Sequence, residues 1–315
     1  MKPQYAEEMP LVSCIVTCFN KVAYLYEAIA SVLSQDYPAL ELLVADDGTA
    51  DFPSAEIKAY IQDHKKDNLQ NAVVLHQEKN VGTVRNINSA LSIAAGNYLI
   101  NLDGDDVFYS NTVIREMIKT MLERDLDLLE CSKMRCDEHL NELERLPTPK
   151  QKEQLKKLNT AQKQYHSFAV FRFYNIGGGS GVAYTKDCVQ KLGLFDESFR
   201  NWQDGPTLIA YVQKGRTIPT NFDIVAVRYR AGGVSNAPGK NKGAFSHISR
   251  DRALYTEMYT IPDVFNPHVF LRRRRVFWYR WDHSSSFHQR VWLMIRYPDQ
   301  GLPMLLRKLR RRPTR

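Results

Sequence analysis

The sequence lacks any segment that could cross a membrane or direct secretion. No apolar run approaches the roughly 18–20 residues that a bilayer-spanning helix needs, and the opening residues, MKPQYAEEMP, lack the apolar core of a signal peptide. Cysteine is also scarce, because the 315 residues include only five. None has the closely spaced Cys or His partners of a zinc site, and an odd number does not suit a disulfide framework. We therefore expect a cytoplasmic protein whose thiols are reduced and lie in or near the core.

Two glycine signatures are missing as well. The first apolar run, 11–19, is not followed by the G-x-G-x-x-G turn of a dinucleotide-binding fold. The cluster at 177–181 (GGGSG) comes closest, but Val182 stands where that turn needs its last glycine. The same valine excludes the G-x-S-x-G elbow of serine hydrolases.

Positive charge is confined to one end of the chain. The protein carries a net charge of +8, from 43 Lys and Arg against 35 Asp and Glu. Residues 268–315 contain 13 of the basic residues and only two acidic ones, Asp282 and Asp299, which gives this segment +11. The other 267 residues contain 30 basic and 33 acidic residues, a charge of −3. The basic character therefore belongs to this tail and not to the body of the protein.

Apolar residues alternate between a strand period and a helix period along the first hundred residues. Short β-branched runs are typical of buried strands, and apolar residues three and four apart are typical of helices with one buried face. The alternation predicts an α/β fold with a doubly wound, mostly parallel sheet. The predicted strands are 11–19, 41–45, 72–76 and 97–102, and the predicted helices are one that ends before Tyr37, 54–64, and 83–95 with Gly96 as its C-cap.

The second half of the sequence has a less regular pattern. The charged stretch 140–164 indicates a helical excursion at the surface, and the stretch 232–247, rich in Gly, Asn and Lys, indicates a mobile loop. The remaining expected elements are strands around 168–184 and 224–229 and helices at 187–192 and 206–214.

Two acidic clusters, 46–51 (DDGTAD) and 103–106 (DGDD), end predicted strands. Three carboxylates within four residues repel one another unless a cation neutralises them. Their oxygens suit Mg2+ or Mn2+ shared with substrate phosphates. The alternative for each cluster is a solvated acidic turn. A calcium EF-hand loop that begins at Asp103 is excluded, because Phe108 stands where that loop needs glycine. Ligands bind at the carboxyl ends of strands in such sheets, so two acidic strand ends favour a site.

These clusters belong to four longer blocks that occur in a fixed order: LLVADDGTAD (42–51), NVGTVRNINSALSIAAGNYLINLDGDD (80–106), LGLFDESFRNWQDGPTLIAYVQKG (192–215) and VRYRAGGVS (227–235). In this order they resemble the family-2 glycosyltransferases of the GT-A fold, over about residues 10–236. The resemblance implies a Rossmann-like GT-A domain, a nucleotide-sugar donor and a divalent metal ion, Mn2+ or Mg2+.

The resemblance also implies which residues bind the donor. In the family, the first strand end and the first acidic cluster hold the nucleotide, and the D-x-D block holds ribose and metal. For Arg85, a surface salt bridge is an equal alternative to a place near the diphosphate. The implied nucleotide-sugar-binding residues are Thr17, Asn20, Asp46, Asp47, Arg85, Asp103 and Gly104, and the implied metal ligands are Asp105 and Asp103.

The resemblance places the catalytic base at Asp204. The family's E-D pair appears here as Gln203-Asp204, so Asp204 is the only carboxylate in that position. It would accept the proton of an acceptor hydroxyl during a single displacement that inverts the anomeric configuration. The alternative is that Asp204 caps the following helix.

The family's Y-R-x-H pattern is only partly present, because Gly232 stands in the place of the histidine. This position therefore offers no imidazole to a metal or phosphate. Arg230, Lys240 and Lys242 are candidate lid residues that could close over the diphosphate, and a solvated loop is the alternative.

The basic tail interleaves arginine clusters with aromatic and aliphatic residues. This pattern suits an interfacial helix on anionic lipid, with Trp278, Trp281, Trp292 and Leu305 available to insert. The alternatives are that the tail packs on the catalytic domain or mediates homo-oligomer formation. Nucleic acid is not expected as a partner, because no nucleic-acid-binding motif is present.

The sequence thus predicts a catalytic domain over 1–267, with a nucleotide-sugar-binding half at 10–106 and an acceptor half at 107–236, followed by the tail 268–315. The predicted activity is inverting, metal-dependent transfer from a UDP-sugar to a glycan or lipid-linked acceptor. Its predicted place is bacterial surface polysaccharide or lipopolysaccharide synthesis at the inner face of the cell membrane. The alternatives are a catalytically silent binder of sugar nucleotides or glycans, and a membrane-bound adaptor that acts through its tail.

Overall fold

The computed structural model describes residues 9–170, 179–231, 242–259, 265 and 267–310. Within those ranges, nine strands form one sheet with helices on both faces. The strands are β1 Val12–Cys18, β2 Leu40–Asp46, β3 Leu69–His76, β4 Tyr98–Asp103, β5 Val107–Phe108, β6 Leu128–Cys136, β7 Glu142–Leu146, β8 Val182–Thr185 and β9 Thr220–Arg230. The helices are α1 Val22–Leu33, α2 Ser54–His64, α3 Thr83–Ile93, α4 Val113–Glu123, α5 Pro149–Lys156, α6 Ala161–Ala169, α7 Lys186–Lys191, α8 Asp204–Gln213, α9 Lys242–Tyr259, α10 Pro267–Asp282, α11 Phe287–Arg296 and α12 Pro298–Arg310.

The strands follow the order β3-β2-β1-β4-β8-β6-β9-β5, and β7 pairs with β6. Strand β1 is parallel to β2 and to β4, and β2 is parallel to β3, because a helix connects each strand to the next one in the chain. Strand β8 lies antiparallel between β4 and β6, and it joins this half of the sheet to the parallel pair β6 and β9. The predicted doubly wound, mostly parallel sheet is therefore confirmed.

The core lies on both faces of the sheet, because β1 and β2 are almost completely buried. Successive side chains of a strand point to opposite faces. Accordingly, Cys14 and Val16 pack with residues of α1 and α4, whereas Ile15 packs with residues of α3 and α8. This double burial explains why the early strands are continuous apolar runs in the sequence.

The five cysteines are buried and free, as the sequence predicts for core thiols. Burial raises the pKa of the Cys188 thiol to about 11 and that of the Cys18 thiol to about 12. The reactive thiolate is therefore suppressed at neutral pH.

Several predicted elements need correction. Helix α3 ends at Ile93 with Ala94 as its C-cap, so Gly96 is not the cap. Glycine is required at position 96 because a Cβ atom there would lie 2.6 Å from the backbone nitrogen of Ser13. The predicted excursion 140–164 contains strand β7 as well as helix α5. Of the predicted loop 232–247, residues 232–241 lie outside the described ranges, and α9 begins at Lys242.

The helices after β9 form a C-terminal extension, as predicted. Helix α10 packs against α9, and a small apolar cluster joins Ala253 of α9 to Val276 and Phe277 of α10. Leu293 and Tyr297 of the next segment complete this cluster. Within the described ranges, no helix has the length and apolar character needed to span a bilayer.

Candidate active site

The acidic turn, which we define as residues 103–106, follows β4 and lies beside the end of β1. Thr17 and Asp103 are direct neighbours in the parallel register, and the Thr17 hydroxyl donates to the Asp103 carboxylate at 3.4 Å. A Cβ atom at Gly104 would overlap the carbonyl oxygen of Thr17. Only glycine therefore lets the turn approach β1 this closely.

The carboxylate of Asp106, the last residue of the acidic turn, fixes the position of that turn. Asp106 is buried and accepts from the Ser180 hydroxyl at 2.7 Å and from the Arg230 backbone N–H at 3.3 Å. The same Ser180 oxygen accepts from the backbone N–H of Asp103 at 2.9 Å. This division of roles leaves Asp103 and Asp105 as the carboxylates that a ligand could use.

Asp105 forms an ion pair with Lys21, the residue that precedes α1. Its backbone carbonyl accepts from the Arg230 guanidinium at 2.6 Å, and that guanidinium also donates to Glu27 at 2.6 Å. The Arg230 side chain is only 6% exposed and stacks over Tyr24 at 4.3 Å. Arg230 thus fixes the position of the acidic turn through the Asp105 carbonyl. A role as a lid would require its contacts with Asp105, Glu27 and Tyr24 to break.

The first acidic cluster is organised mainly by its own hydrogen bonds. Asp46 is fully buried and accepts from the backbone N–H and hydroxyl of Thr49 and from a ring nitrogen of His76 at 2.8 Å. The Thr49 hydroxyl in turn accepts from the backbone N–H of Asn20 at 2.8 Å. Asn20 has a left-handed φ of 58°, which asparagine tolerates better than most residues. Asp46 and Thr49 therefore fix the turn between β1 and α1, on the side of the sheet where the nucleotide is predicted to bind.

Asp47 fixes the loop that leads into α3. Its carboxylate accepts from the backbone N–H groups of Val81 and Gly82 and from the side chain of Asn80 at 2.9 Å. Burial raises the pKa of Asp47, although the backbone hydrogen bonds from Val81 and Gly82 oppose the rise. The carboxylates of Asp46 and Asp47 thus both contribute to the shape of the predicted nucleotide site.

Asp204 is the first residue of α8, and the N-cap position belongs to Gln203. The Asp204 carboxylate is nearly buried and accepts from the backbone N–H of Gly205 at 2.8 Å. Burial raises the pKa of Asp204, whereas that hydrogen bond and the nearby Lys133 lower it. A carboxyl group with a raised pKa is suited to general-base chemistry near neutral pH.

Lys133 on β6 is a site residue that the sequence reasoning missed. It is 7% exposed and lies close enough to Asp103, Asp106 and Asp204 to interact electrostatically with all three. Burial lowers the pKa of Lys133, and the carboxylates oppose that change. In the sequence, Lys133 is one of several polar residues of the strand LLECSKMRC, so no pattern marked it as a site residue.

The electrostatics of the acidic turn favour binding of a cation. Burial, and then the neighbouring Asp105, raise the pKa of Asp103 to about 6. Glycine at position 179 leaves room for this carboxylate, because a Cβ atom there would lie 2.8 Å from its Oδ2. A further positive charge at the turn would relieve the repulsion between these carboxylates.

The remaining predicted residues lie apart from this centre or outside the described ranges. Arg85 on α3 forms an exposed ion pair with Glu197 at 3.3 Å, the arrangement that the surface salt-bridge alternative predicts. Lys240 lies outside the described residues, and Lys242 is the first residue of α9. The ion pair of Arg85 therefore adds no contact to the acidic turn.

The donor set fits a metal ion only if a substrate completes it. Among the described residues, no group of three or more His, Cys, Asp or Glu side chains is arranged to hold a metal ion. Mg2+ and Mn2+ prefer oxygen ligands and are commonly held by one or two carboxylates together with substrate phosphates. Asp103 and Asp105 match that incomplete set.

Comparison with known proteins agrees with this architecture. A family model described as glycosyl transferase family 2 matches residues 13–177. The chain is 30% identical to an uncharacterized glycosyltransferase of Haemophilus influenzae over 191 residues, which are 58% of this chain and 74% of that protein. It is also 34% identical over 111 residues to the GalNAc(5)-diNAcBac-PP-undecaprenol beta-1,3-glucosyltransferase of Campylobacter jejuni, where the match covers 35% of each chain.

Solved structures resemble the whole described architecture. The mannosyltransferase PcManGT of Pyrobaculum calidifontis, in complex with GDP-Man and Mn2+, superposes with a TM-score of 0.58 over 96% of this chain and 80% of its own, at 16% identity. Residues 1–349 of TarS from S. aureus, in complex with UDP-GlcNAc, give 0.56 over 90% of this chain and 79% of that one, also at 16% identity. At such low identity these likenesses show the fold alone, and they confirm the predicted GT-A fold. With a family model that matches just over half of its length, the chain belongs to glycosyl transferase family 2.

Proposed function

We propose that this protein transfers a sugar from a nucleoside-diphosphate sugar to an acceptor hydroxyl, with inversion at the anomeric carbon. The observation that carries the proposal is the proximity of two carboxylates, Asp103 in the acidic turn and Asp204 at the start of α8. Asp204 lies close enough to Asp103 for its charge to raise the pKa of Asp103. A silent nucleotide binder would need the acidic turn alone. The nearly buried Asp204, with its raised pKa, favours an enzyme.

The acidic turn would hold the diphosphate of the donor. When bound by Asp103 and Asp105, Mn2+ or Mg2+ would neutralise the charge that grows on the departing nucleoside diphosphate. Gly104 allows the turn that carries Asp103 and Asp105 to pack against β1, and Asp106 fixes that turn through its hydrogen bond from Ser180. The ligands are therefore held in place before the donor arrives, which lowers the cost of organising them during the reaction.

Asp204 would accept the proton of the acceptor hydroxyl as its oxygen attacks the anomeric carbon. Lys133 supplies positive charge close to Asp204 and favours the ionised form that a base needs. The family's paired carboxylate is glutamine here, so Asp204 has no acidic neighbour at position 203 to share this task. A single displacement from the face opposite the leaving group gives inversion.

UDP is the proposed nucleotide. TarS, bound to UDP-GlcNAc, supports this choice through its fold, whereas PcManGT, bound to GDP-Man, makes GDP the alternative. The residues proposed to surround the nucleoside are Thr17, Asn20, Asp46 and Asp47, at the ends of β1 and β2. Parallel calorimetric titrations with UDP and GDP in Mn2+ will separate the two nucleotides, and tighter binding of GDP would reassign the donor.

Metal-dependent nucleotide binding tests the proposed donor site. In D105A the metal would lose one of two protein ligands, so we expect UDP affinity in Mn2+ to fall by more than about tenfold. Affinity without metal should change little. D63A, which removes an exposed carboxylate on α2, is the matched control. Unchanged UDP affinity of D105A in Mn2+, measured by calorimetry, would contradict the donor site.

A lipid-linked or polysaccharide acceptor is the proposed second substrate. The Campylobacter jejuni relative, whose name describes glucosyl transfer to an undecaprenol-linked glycan, supports this proposal. Such an acceptor belongs to surface polysaccharide or lipopolysaccharide synthesis at the inner face of the cell membrane. The proposal predicts that transfer will require a polysaccharide or a polyprenyl-diphosphate glycan as acceptor, and measurable turnover on free monosaccharides alone would argue against it.

We also propose that helices α11 and α12 rest on anionic lipid. Arg273 and Arg280 are not available for this purpose, because they pair with Asp299 at 2.9 Å and with Glu257 at 2.7 Å. Trp281 packs on Phe277 at 5.7 Å and is partly buried, so its predicted insertion is not supported. The apolar side chains that remain exposed on the two helices are Phe287, Trp292, Ile295, Leu302, Leu305 and Leu306.

The geometry of these two helices supports an interfacial role. Leu302, Leu305 and Leu306 recur at the three- and four-residue spacing of one helix face. Gly301 lets α12 pack closely on α11, because a Cβ atom there would lie 3.0 Å from Met294. Each cation near an anionic surface contributes about 1 kcal/mol, and the sequence supplies Arg290 and Arg296 in α11 and a basic run at 307–312.

A further inference from the structure

A buried carboxylate on α9 holds the loop that precedes Asp204. Asp251 is 0% exposed, and its carboxylate accepts from three consecutive backbone N–H groups. The distances are 3.0 Å from Arg200, 2.6 Å from Asn201 and 3.2 Å from Trp202. These donors end two residues before Asp204, so their position determines where α8 begins.

The ring of Trp202 extends the same contact. It packs on Tyr255 of α9 with ring centroids 4.7 Å apart. It also packs against the first turn of α8, where a Cβ atom at Gly205 would lie 2.7 Å from the indole. A hydrogen bond from the Trp202 side chain is among the contacts that lower the pKa of Asp204. The ring therefore packs between α9 and the first turn of α8, so the position of α9 affects the position of the proposed base.

The loop also contacts the donor side of the site. The Arg200 guanidinium donates to the backbone carbonyl of Asn80 at 2.9 Å, and the Arg200 carbonyl accepts from the backbone N–H of Val84 at 3.1 Å. Asn80 is itself held by Asp47. One continuous set of hydrogen bonds thus connects α9, the loop before the base and the loop at the nucleotide edge.

We propose that Asp251 is a positioning residue for transfer: by fixing residues 200–202, it sets the distance between Asp204 and the donor site. The inference rests on the proposed function, in which Asp204 is the base. It assigns to α9 a part in the reaction that the sequence, with its expected mobile loop over 232–247, did not suggest. A shift of the base by about 1 Å can cost on the order of 10²-fold in rate.

Two variants at position 251 separate positioning from stability. D251A leaves three backbone donors without an acceptor, whereas D251N keeps the size and one acceptor oxygen. We expect the kcat of sugar transfer to fall on the order of 10²-fold in D251A, with a smaller fall in D251N. The affinity for UDP in Mn2+ should remain within about twofold, about 0.4 kcal/mol, of the unmodified protein. D187N, at an exposed position on α7, is the matched control and should behave as the unmodified protein.

Hydrogen exchange gives a readout that does not depend on turnover. We expect the amides of residues 200–202 to exchange faster in both variants, while those of α3 and β1 keep their protection. If D251A does not fold, D251N decides. A normal kcat in a folded D251N with faster exchange, or an unchanged exchange rate at 200–202, would overturn the positioning role. An unmodified protein that binds UDP but transfers no sugar would overturn the proposed function and the positioning role together.

Discussion

At the scale of single residues, the position of the acidic turn against β1 depends on Gly104, which has no side chain. Gly104 is required for steric reasons and not for its φ angle, because a Cβ atom would overlap the Thr17 carbonyl oxygen. Asp103 and Asp105 flank this glycine, so any displacement of the turn moves both proposed metal ligands at once. The middle position of this D-x-D block is therefore not variable in this chain.

We expect G104A to lower the free energy of unfolding by about 1–3 kcal/mol, the usual cost of forcing an extra methyl into a packed site. Metal-dependent UDP binding should be lost with it, because the turn must move away from β1. Urea denaturation and calorimetry measure the two effects. G193A is the control: position 193 has φ +83° and no atom within 4 Å of an added Cβ, so that variant reports backbone strain alone. A G104A protein with normal UDP binding in Mn2+ would contradict this account.

The pKa of Asp204 leads to a second prediction. Burial raises this pKa above the ordinary 3.8, and only the ionised carboxylate can accept a proton. The kcat of transfer should therefore increase with pH through that raised pKa, with an acidic limb centred above the ordinary value. D204N should lose about 10²–10⁴-fold in kcat and should lack this limb, with donor affinity nearly unchanged. A D204N variant that keeps the acidic limb would assign the base to another group.

At the scale of elements, the hairpin of α11 and α12 presents an apolar face without a partner in the described part of the chain. Its exposed residues include Trp292 at 55% and Ile295 at 73%. The sequence predicted a basic, aromatic tail, but it could not show which aromatic residues pack inward. That distinction depends on the contact of Phe277 and Trp281 with α9 and α11, which follows from tertiary packing and not from periodicity.

We expect W292S/I295S to reduce binding to anionic vesicles by more than tenfold, since burial of each large apolar side chain contributes about 1.5–3 kcal/mol. UDP affinity and thermal stability should remain unchanged, because both side chains are exposed. I93S/L122S removes two apolar residues that are each 46% exposed on other helices and is the matched control. Equal sedimentation of both double variants with anionic vesicles would contradict the membrane role of the hairpin.

The elements near the site show where sequence reasoning succeeded and where it could not. Strands β1, β2 and β4 were predictable because burial on both faces makes each a continuous apolar run. The contacts of Asp251 were not predictable, because they join residues about fifty positions apart. Lys133 was also missed, since it is one of several polar residues in β6 and nothing in that pattern marks it as a site residue. The acidic strand ends were found because parallel strands bring their carboxyl ends to one edge.

At the scale of the whole molecule, the C-terminal helices support the catalytic domain through α9. Ala253 on one side of α9 packs with Val276 and Phe277, and Glu257 binds Arg280 and the Tyr297 hydroxyl. A boundary at residue 267, as the sequence predicted, would therefore separate α9 from the helix that covers it. The domain limits themselves stay a prediction.

We expect a chain that ends at residue 266 to melt at a lower temperature than the full chain, because truncation exposes the apolar side of α9. UDP binding in Mn2+ should persist, since Asp103 and Asp105 lie at the end of β4, whose neighbours in the sheet are β1 and β8. A chain that ends at residue 285 keeps α10 and should melt closer to the full chain. Equal melting temperatures for the chains that end at 266 and 285, measured by calorimetry, would contradict a stabilising role for α10.

The position of β8 in the sheet has a consequence for synthesis. Strands β1 to β4 can pair as soon as residue 103 has emerged, but the free edge of β4 waits for β8, whose first residue is Val182. About 80 residues must be added in that interval, which takes roughly 4–16 s at the usual ribosomal rate. An unpaired strand edge invites pairing with other chains. We therefore expect the nascent chain to be most vulnerable to aggregation during that interval, and slower translation of residues 104–181 to lower the yield of soluble protein.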